Sequence, residues 1–366
     1  MQHSINLWYS AVILLLFTAC RQQSSNNNPL ALKPTAMGRI NDVVILADQN
    51  IDQTPLGDTI LYYFEAPYPI LTADEPIFNV RFMSPEDLLA KPLRKELRTF
   101  IVIADVSDTT SSTTKMLRSD LGEEKFKRTT TDPKFITSIG KEKWAKDQLI
   151  IYIFANGKEK LYKAISDNFE AVAKRINQHD EKNLNATVYG IQSVNKVLSK
   201  LALDSFGIQI KIPGLYNLAM QKPNFLWLRM DNKEINQSII IRKFPYKDNK
   251  QFEMENIIRL RNEYGKEFIR TGQDSAYMST NVIDLPTFEY TYMHNNVYTK
   301  EVRGIWETVH DFMGGPFVSY LLLNEAEGEV VFIDVFVFAP GKDKRDLVQQ
   351  MDCIVKTATF PGVVKN

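Results

Sequence analysis

Over residues 158–177 the apolar side chains fall on one stripe at helical spacing. Leu161, Tyr162, Ile165, Phe169, Val172, Ala173 and Ile176 carry it, which predicts an amphipathic helix. Ahead of it, apolar runs at 42–48, 97–105 and 148–154 read as buried strands, the last stopped by Asn156-Gly157. Residues 115–128 predict a further helix, and 59–65 fit either a helix or an extended segment. Pro67, Pro69 and Pro76 make 67–76 a loop, because proline supplies no backbone donor to helix or sheet. Strands alternating with helices predict an α/β domain over 38–182.

From 183 onward the pattern changes. A second long helix is expected at 184–203, followed by strands at 207–212, 225–230 and 237–244 and a helix at 253–270. Runs 287–293 and 297–308 read as a hairpin around His294-Asn295-Asn296, since asparagine tolerates the left-handed angles of a tight turn. Runs 317–323 and 329–339 read as a second hairpin. Residues 330–338 are apolar on both faces, which predicts a central strand covered on each side. A closing helix is expected over 343–358, with Leu347, Val348, Met351, Ile354, Val355 and Ala358 on one face. This second domain, 183–366, is therefore read as α+β, an antiparallel sheet packed against helices.

The N-terminus carries an address. Residues 8–17 are an apolar run too short to span a bilayer but long enough for a signal-peptide core, so 1–19 are read as a signal peptide. Thr18 and Ala19 lead into Cys20, an order that resembles the lipobox of bacterial lipoproteins. The resemblance implies cleavage before Cys20 and acyl chains on its sulfur, hence a membrane partner held by lipid. Two features depart from the pattern: the residues before the apolar run contain no Lys or Arg, and Phe17 stands where Leu is usual. Residues 20–37 are expected to be a polar, disordered tether, whose stretch 21–34 could extend about 45 Å. Arg21-Gln22-Gln23 after the cysteine lean toward the periplasmic face of an outer membrane, with the cell surface as the alternative.

Composition narrows the partners. The chain has 366 residues with 44 basic and 44 acidic side chains, so it lacks the basic field that sequence-independent nucleic-acid binding needs. Cys20 and Cys353 are the two cysteines, and a lipidated Cys20 leaves no internal disulfide.

The blocks Thr35-Ala-Met-Gly-Arg-Ile-Asn-Asp42, Pro67-Tyr-Pro-Ile-Leu71 with Glu75-Pro-Ile-Phe78, Asp311-Phe-Met-Gly-Gly-Pro-Phe-Val-Ser-Tyr320 and Ala339-Pro-Gly-Lys-Asp-Lys-Arg-Asp346 resemble a family of Bacteroidetes-type lipoproteins. That family is catalogued only as a domain of unknown function. The resemblance implies an envelope lipoprotein and carries over no catalytic residue. The last stretch, strand then basic loop then helix then a Thr-Phe tail, is similar in layout to the end of PsbP-like domains, which implies a binding or assembly module.

Candidate chemistry is sparse. His310 with Asp311, beside Gly314-Gly315 and near Ser319, is the best catalytic candidate, yet adjacent His and Asp cannot orient one another as a triad does. His179 reads as a solvated helix end and His294 as a turn residue. Three scattered histidines after the signal segment and no paired cysteines predict neither metal nor cofactor. Asp334 interrupts an apolar strand and, if buried, requires a cation such as Arg303; the alternative is a solvated sheet edge. Cys353 lies opposite the apolar stripe of the closing helix, which predicts a partly exposed thiol or a second buried layer over that face. The basic loop 342–345 fits a solvated helix start or an anion site. The aromatics Tyr62, Tyr63, Phe64, Tyr68, Tyr290, Tyr292, Tyr298 and Trp306 read as core and cross-strand pairs, or as a groove for a glycan or peptide. The expected function is a non-enzymatic module binding a protein or peptide partner. The alternatives are a glycan-active or other hydrolase using acids such as Asp311 and Asp334, and a carrier of lipid or another small ligand.

Overall fold

The computed structural model describes residues 33–71, 73–270 and 275–363. Cys20, the signal segment 1–19 and most of the tether lie outside the described residues. The end of that tether is held, contrary to its reading as disordered to residue 37. Thr35 and Met37 form isolated bridges with Lys146 and Leu97, and the Ala36 amide donates to the Lys146 carbonyl at 2.8 Å.

The N-terminal sheet contains β1 (Asp42–Leu46), β2 (Asn79–Met83), β3 (Thr99–Asp105), β4 (Thr137–Lys141) and β5 (Leu149–Ala155), in the order β2-β1-β3-β5-β4. All pairings are parallel except β4 with β5. β3 and β5 are buried along nearly their whole length, as expected of strands covered on both faces. Helix α1 (Pro55–Phe64) resolves the ambiguous stretch: Thr54 caps it and Pro55 opens it. α2 (Pro85–Ala90) begins with a capping box between Ser84 and Asp87. The single helix expected over 115–128 is two, α3 (Ser112–Leu121) and α4 (Glu123–Thr131). Gly122 divides them at φ 74, a left-handed angle that glycine adopts without steric cost. The striped helix α5 (Lys158–Tyr189) continues beyond 177, and α6 (Lys196–Phe206) is shorter than the helix expected from 184. Gly190 and the adjoining turn separate them. Residues 207–212, expected as a strand, contribute only the isolated bridge Gln209–Thr359.

The C-terminal sheet is antiparallel. Its strands are β6 (Asn217–Lys222), β7 (Phe225–Asp231), β8 (Asn236–Pro245), β9 (Tyr277–Asn281), β10 (Phe288–His294), β11 (Val297–Val309), β12 (Gly314–Asn324) and β13 (Glu329–Phe338). The order is β10-β11-β12-β13-β8-β7-β6, with β9 added to β11. Asn295 and Asn296 take φ 46 and 62, the left-handed pair a two-residue hairpin turn requires.

β13 is central, and its alternation divides the core. Val331, Ile333, Val335 and Val337 pack with α6 and with α8 (Arg345–Val355). Phe332 and Phe336 pack with α7 (Met254–Phe268) on the other face.

The two halves meet through polar contacts and a strap. Glu75 accepts from the Lys344 amide (2.7 and 2.9 Å) and the Arg345 amide (2.8 Å) at the start of α8. The expected solvated basic loop is thus buried at Lys344 and Arg345, and the anion on the helix start is the protein's own carboxylate. Ile70 from the Pro67–Leu71 segment is buried in the C-terminal core cluster at φ 71. A β-branched residue is strained there, so the contacts of that side chain must hold the angle.

Candidate functional site

The residues singled out from the sequence are dispersed. His310 lies exposed in the turn after β11 at φ 65, and the Asp311 carboxylate accepts from the Phe312 amide at 2.8 Å. Ser319 is fully buried and donates to Asp334 instead, so His310, Asp311 and Ser319 form no relay. Asp311 and Asp334 do not share a cleft. His294 ends β10, and its Nε2 lies 3.1 Å from the Ala358 carbonyl. His179 sits within α5 rather than beyond a helix end, and burial pushes its imidazole below the usual histidine range.

Asp334 is 0% exposed, and its partner is Arg261 of α7 at 3.2 Å rather than Arg303. Tyr264 and Ser319 donate to the same carboxylate, and the Arg261 guanidinium stands 3.8 Å from the Phe317 ring centre. Burial pushes this carboxyl up, against Arg261 and the two hydroxyls, which pull it down. Closed on all sides, this group ties α7 to the sheet.

Arg303 instead joins Glu301 and Asp352, in a cleft with Tyr68, Pro69, Tyr290 and Tyr292. The Tyr292 hydroxyl donates to Glu301 at 2.7 Å and that of Tyr320 to Asp352 at 2.5 Å. Each carboxylate oxygen therefore has one donor, and the group links β11, β12 and α8.

Cys353 is 3% exposed because α5 lies over α8 as the second layer, and its Sγ is 3.5 Å from Asn185 Oδ1. Burial pushes the thiol up to about 11. In a Cys20→Ser chain, native Cys353 is therefore expected to react with a disulfide reagent at pH 8 at least ~100-fold slower than in urea. Equal rates would show the thiol to be open.

In parallel sheets of this order ligands bind where the strand order reverses, at the carboxyl ends of β1 and β3. That crevice holds Asp48, which accepts from Ser111 Oγ (2.7 and 2.8 Å), the Thr113 amide (3.1 Å) and Thr113 Oγ1 (2.8 Å) at the start of α3. The donors a phosphate would use are taken. Among the described residues no group of three or more His, Cys, Asp or Glu side chains could hold a metal ion.

The remaining site follows from alternation on the α7 face. Phe225, Trp227 and Arg229 share that face on β7, as do Asp334, Phe336 and Phe338 on β13 and Trp306 and Thr308 on β11. α7 ends at Phe268 and covers only the first part of each row. Beyond its end a pocket of about 470 Å³ opens over Trp227, Trp306, Phe336 and Phe338, within the usual range for small-ligand sites. Trp306 is fixed by its indole N–H, which donates to the Val337 carbonyl at 3.1 Å, and by an edge contact with Phe336 at 5.7 Å. Gly315 makes room for this, since a Cβ there would meet the Val337 carbonyl oxygen at 2.1 Å. Trp227 Nε1 and Arg229 Nε are buried without a partner. Arg229 stands over the Trp227 ring at 5.2 Å and is anchored by exposed Asp231 at 2.9 Å. Trp306 was among the aromatics read from the sequence. Trp227, Arg229, Phe336 and Phe338 were missed, although their period-two spacing places them on one face.

Comparison with known proteins agrees with the unknown-function assignment. Residues 195–357 match the family model "Domain of unknown function (DUF4837)" and residues 36–189 match "Domain of unknown function (DUF8532)". No curated protein matches the chain. Solved structures with a similar arrangement include a Mog1 mutant (10% identity, TM-score 0.29, 43% of this chain and 92% of that one). The Ran-binding protein Mog1p of Saccharomyces cerevisiae is another (10%, 0.27, 42% and 90%). A third is LpqN of Mycobacterium tuberculosis, described as involved in cell envelope biogenesis (10%, 0.26, 42% and 83%).

Proposed function

We propose that this chain, whose residues 195–357 belong to the DUF4837 domain family, is a lipid-anchored envelope protein that binds a ligand in the aromatic pocket beyond α7 and carries out no chemistry on it. The observation that carries the reading is the pair of buried, unpartnered donors, Trp227 Nε1 and Arg229 Nε, in a pocket whose lining also includes Trp306, Phe336 and Phe338. A buried donor without an acceptor costs about 1–3 kcal/mol, which a ligand acceptor recovers.

The test uses the Cys20→Ser chain titrated with the small-molecule fraction of an envelope digest. Trp227 and Trp306 both line the pocket, so tryptophan emission reports occupancy. A saturable change, lost in Phe338→Ala, is expected; no change in emission or melting temperature would end the reading.

No helix among the described residues is long and apolar enough to cross a membrane. The reading of an anchor at Cys20 is supported by the likeness of its surroundings to a lipobox. Cys20→Ser is expected to move the protein from the membrane to the soluble fraction. Normal processing with unchanged membrane fractionation would remove the anchor.

A further inference from the structure

We propose that the aromatic pocket takes an N-acetylated amino sugar, its ring against the indole and phenyl faces and its acetamido carbonyl accepting from Trp227 and Arg229; this rests on the binding reading above.

The wall sets the first requirement. Phe338 and Trp227 are partly exposed where they line the pocket, and buried Trp306 and Phe336 back Phe338, held by the hydrogen bond from Trp306 to the Val337 carbonyl and by edge and tilted ring contacts. The C–H faces of a pyranose suit such a surface, as aromatic side chains supply apolar area in a defined geometry.

Hydrogen-bonding capacity sets the second. Trp306 Nε1 and Arg229 Nη2 are already committed. The unpartnered buried side-chain atoms in the wall, Trp227 Nε1 and Arg229 Nε, are both donors. A carbonyl oxygen offers two lone pairs and no donor of its own, whereas a hexose hydroxyl, with as many lone pairs, also carries a hydrogen that needs an acceptor.

Charge and access set the rest. Arg229, Lys233 and Arg270 are nearly balanced by Asp231 and Glu234, and Asn232 and Asn236 add amides at the rim. A neutral ligand rich in hydroxyls fits that rim. The Arg229 side chain is 36% exposed, and its ion pair with exposed Asp231 holds it only weakly. Both donors are closed to solvent in this structure, so Arg229 must shift when the ligand enters.

An extended peptide is disfavoured by the sheet. β7 is paired with β6 and β8, β13 with β8 and β12, and β11 with β12, β9 and β10. No strand in the floor has a free edge for a peptide to join.

The test is a fluorescence titration of the Cys20→Ser chain with the trimer of N-acetylglucosamine. Cellotriose, which lacks the acetamido group, and an acetyl-capped alanine peptide amide are the comparison arms. Saturable binding of the N-acetylated trimer is expected, at least about tenfold weaker for cellotriose and for Trp227→Phe, which keeps a ring and deletes the N–H. An unchanged melting temperature of Trp227→Phe shows that loss of binding is not loss of fold. Equal affinity for cellotriose, or for Trp227→Phe, would overturn the acetamido assignment. Binding of the capped peptide alone would overturn the sugar. Silence with every sugar, against a saturable response to the envelope digest, removes the sugar and leaves the binding reading; silence in both removes both.

Discussion

Asp334→Ala is expected to destabilise the C-terminal domain by about 3–5 kcal/mol, the range for breaking one side of a buried ion pair. For a domain of this size that is roughly a 10 °C fall in melting midpoint. The cause is what the substitution leaves behind. Arg261 and Asp334 are both 0% exposed in their side chains, so the guanidinium would stay charged with only Thr280 Oγ1 at 3.0 Å, Met278 Sδ and the Phe317 ring beside it. The hydroxyls of Tyr264 and Ser319 would lose their acceptor as well. Adding Arg261→Met to Asp334→Leu is expected to restore part of the loss, because it removes the orphaned charge. The two hydroxyls keep the recovery incomplete. A single variant melting within about 2 °C of the parent would show that this group does not hold α7 on the sheet.

The same group shows what could be read from the sequence. A lone acid in a run as apolar as 330–338 had to be either buried and paired or at an edge, and it is buried and paired. Its partner could not be named, because Arg261 is one of two arginines on a helix 73 positions away and only the tertiary packing selects it. Period-two and 3.6-residue patterns located the striped helix, both hairpins and the central strand, since those elements bury continuous apolar rows. β2, β4, β6 and β9 were missed because they lie at sheet edges with exposed or mixed faces, where the pattern is weak. The break at Gly122 and the extension of α5 are decided by one backbone angle and by packing against α8. The aromatic pocket was half legible: Trp227, Phe336 and Phe338 alternate correctly, but where α7 stops covering them depends on two elements at once.

Asp180→Ala should cost as much as the loss of Asp334, though it acts at the joint between the halves. Asp180 lies on α5 and accepts from Arg98 Nε at 2.9 Å and from the Asn41 amide at 2.9 Å. The pair is enclosed, with side chains 3% and 8% exposed. Asn41 then passes the contact to the other half: its side-chain Nδ2 donates to Asp346 at 3.0 Å and to Gln349 at 2.8 Å on α8. Removing the carboxylate leaves Arg98 buried with only the His179 carbonyl and frees Asn41 to shift. A loss of about 3–5 kcal/mol is expected, together with separation of the melting curve into two steps as α8 loosens from α5. The neighbouring pair Lys182–Asp147 serves as the control, for its side chains are 72% and 42% exposed. An exposed pair of that kind contributes about 0–1 kcal/mol, so Lys182→Ala should leave the melting curve almost unmoved. Were both variants to melt alike, burial would not be what gives the Asp180 contact its strength, and the joint between the halves would have to rest on the Glu75 clamp and the Ile70 strap alone.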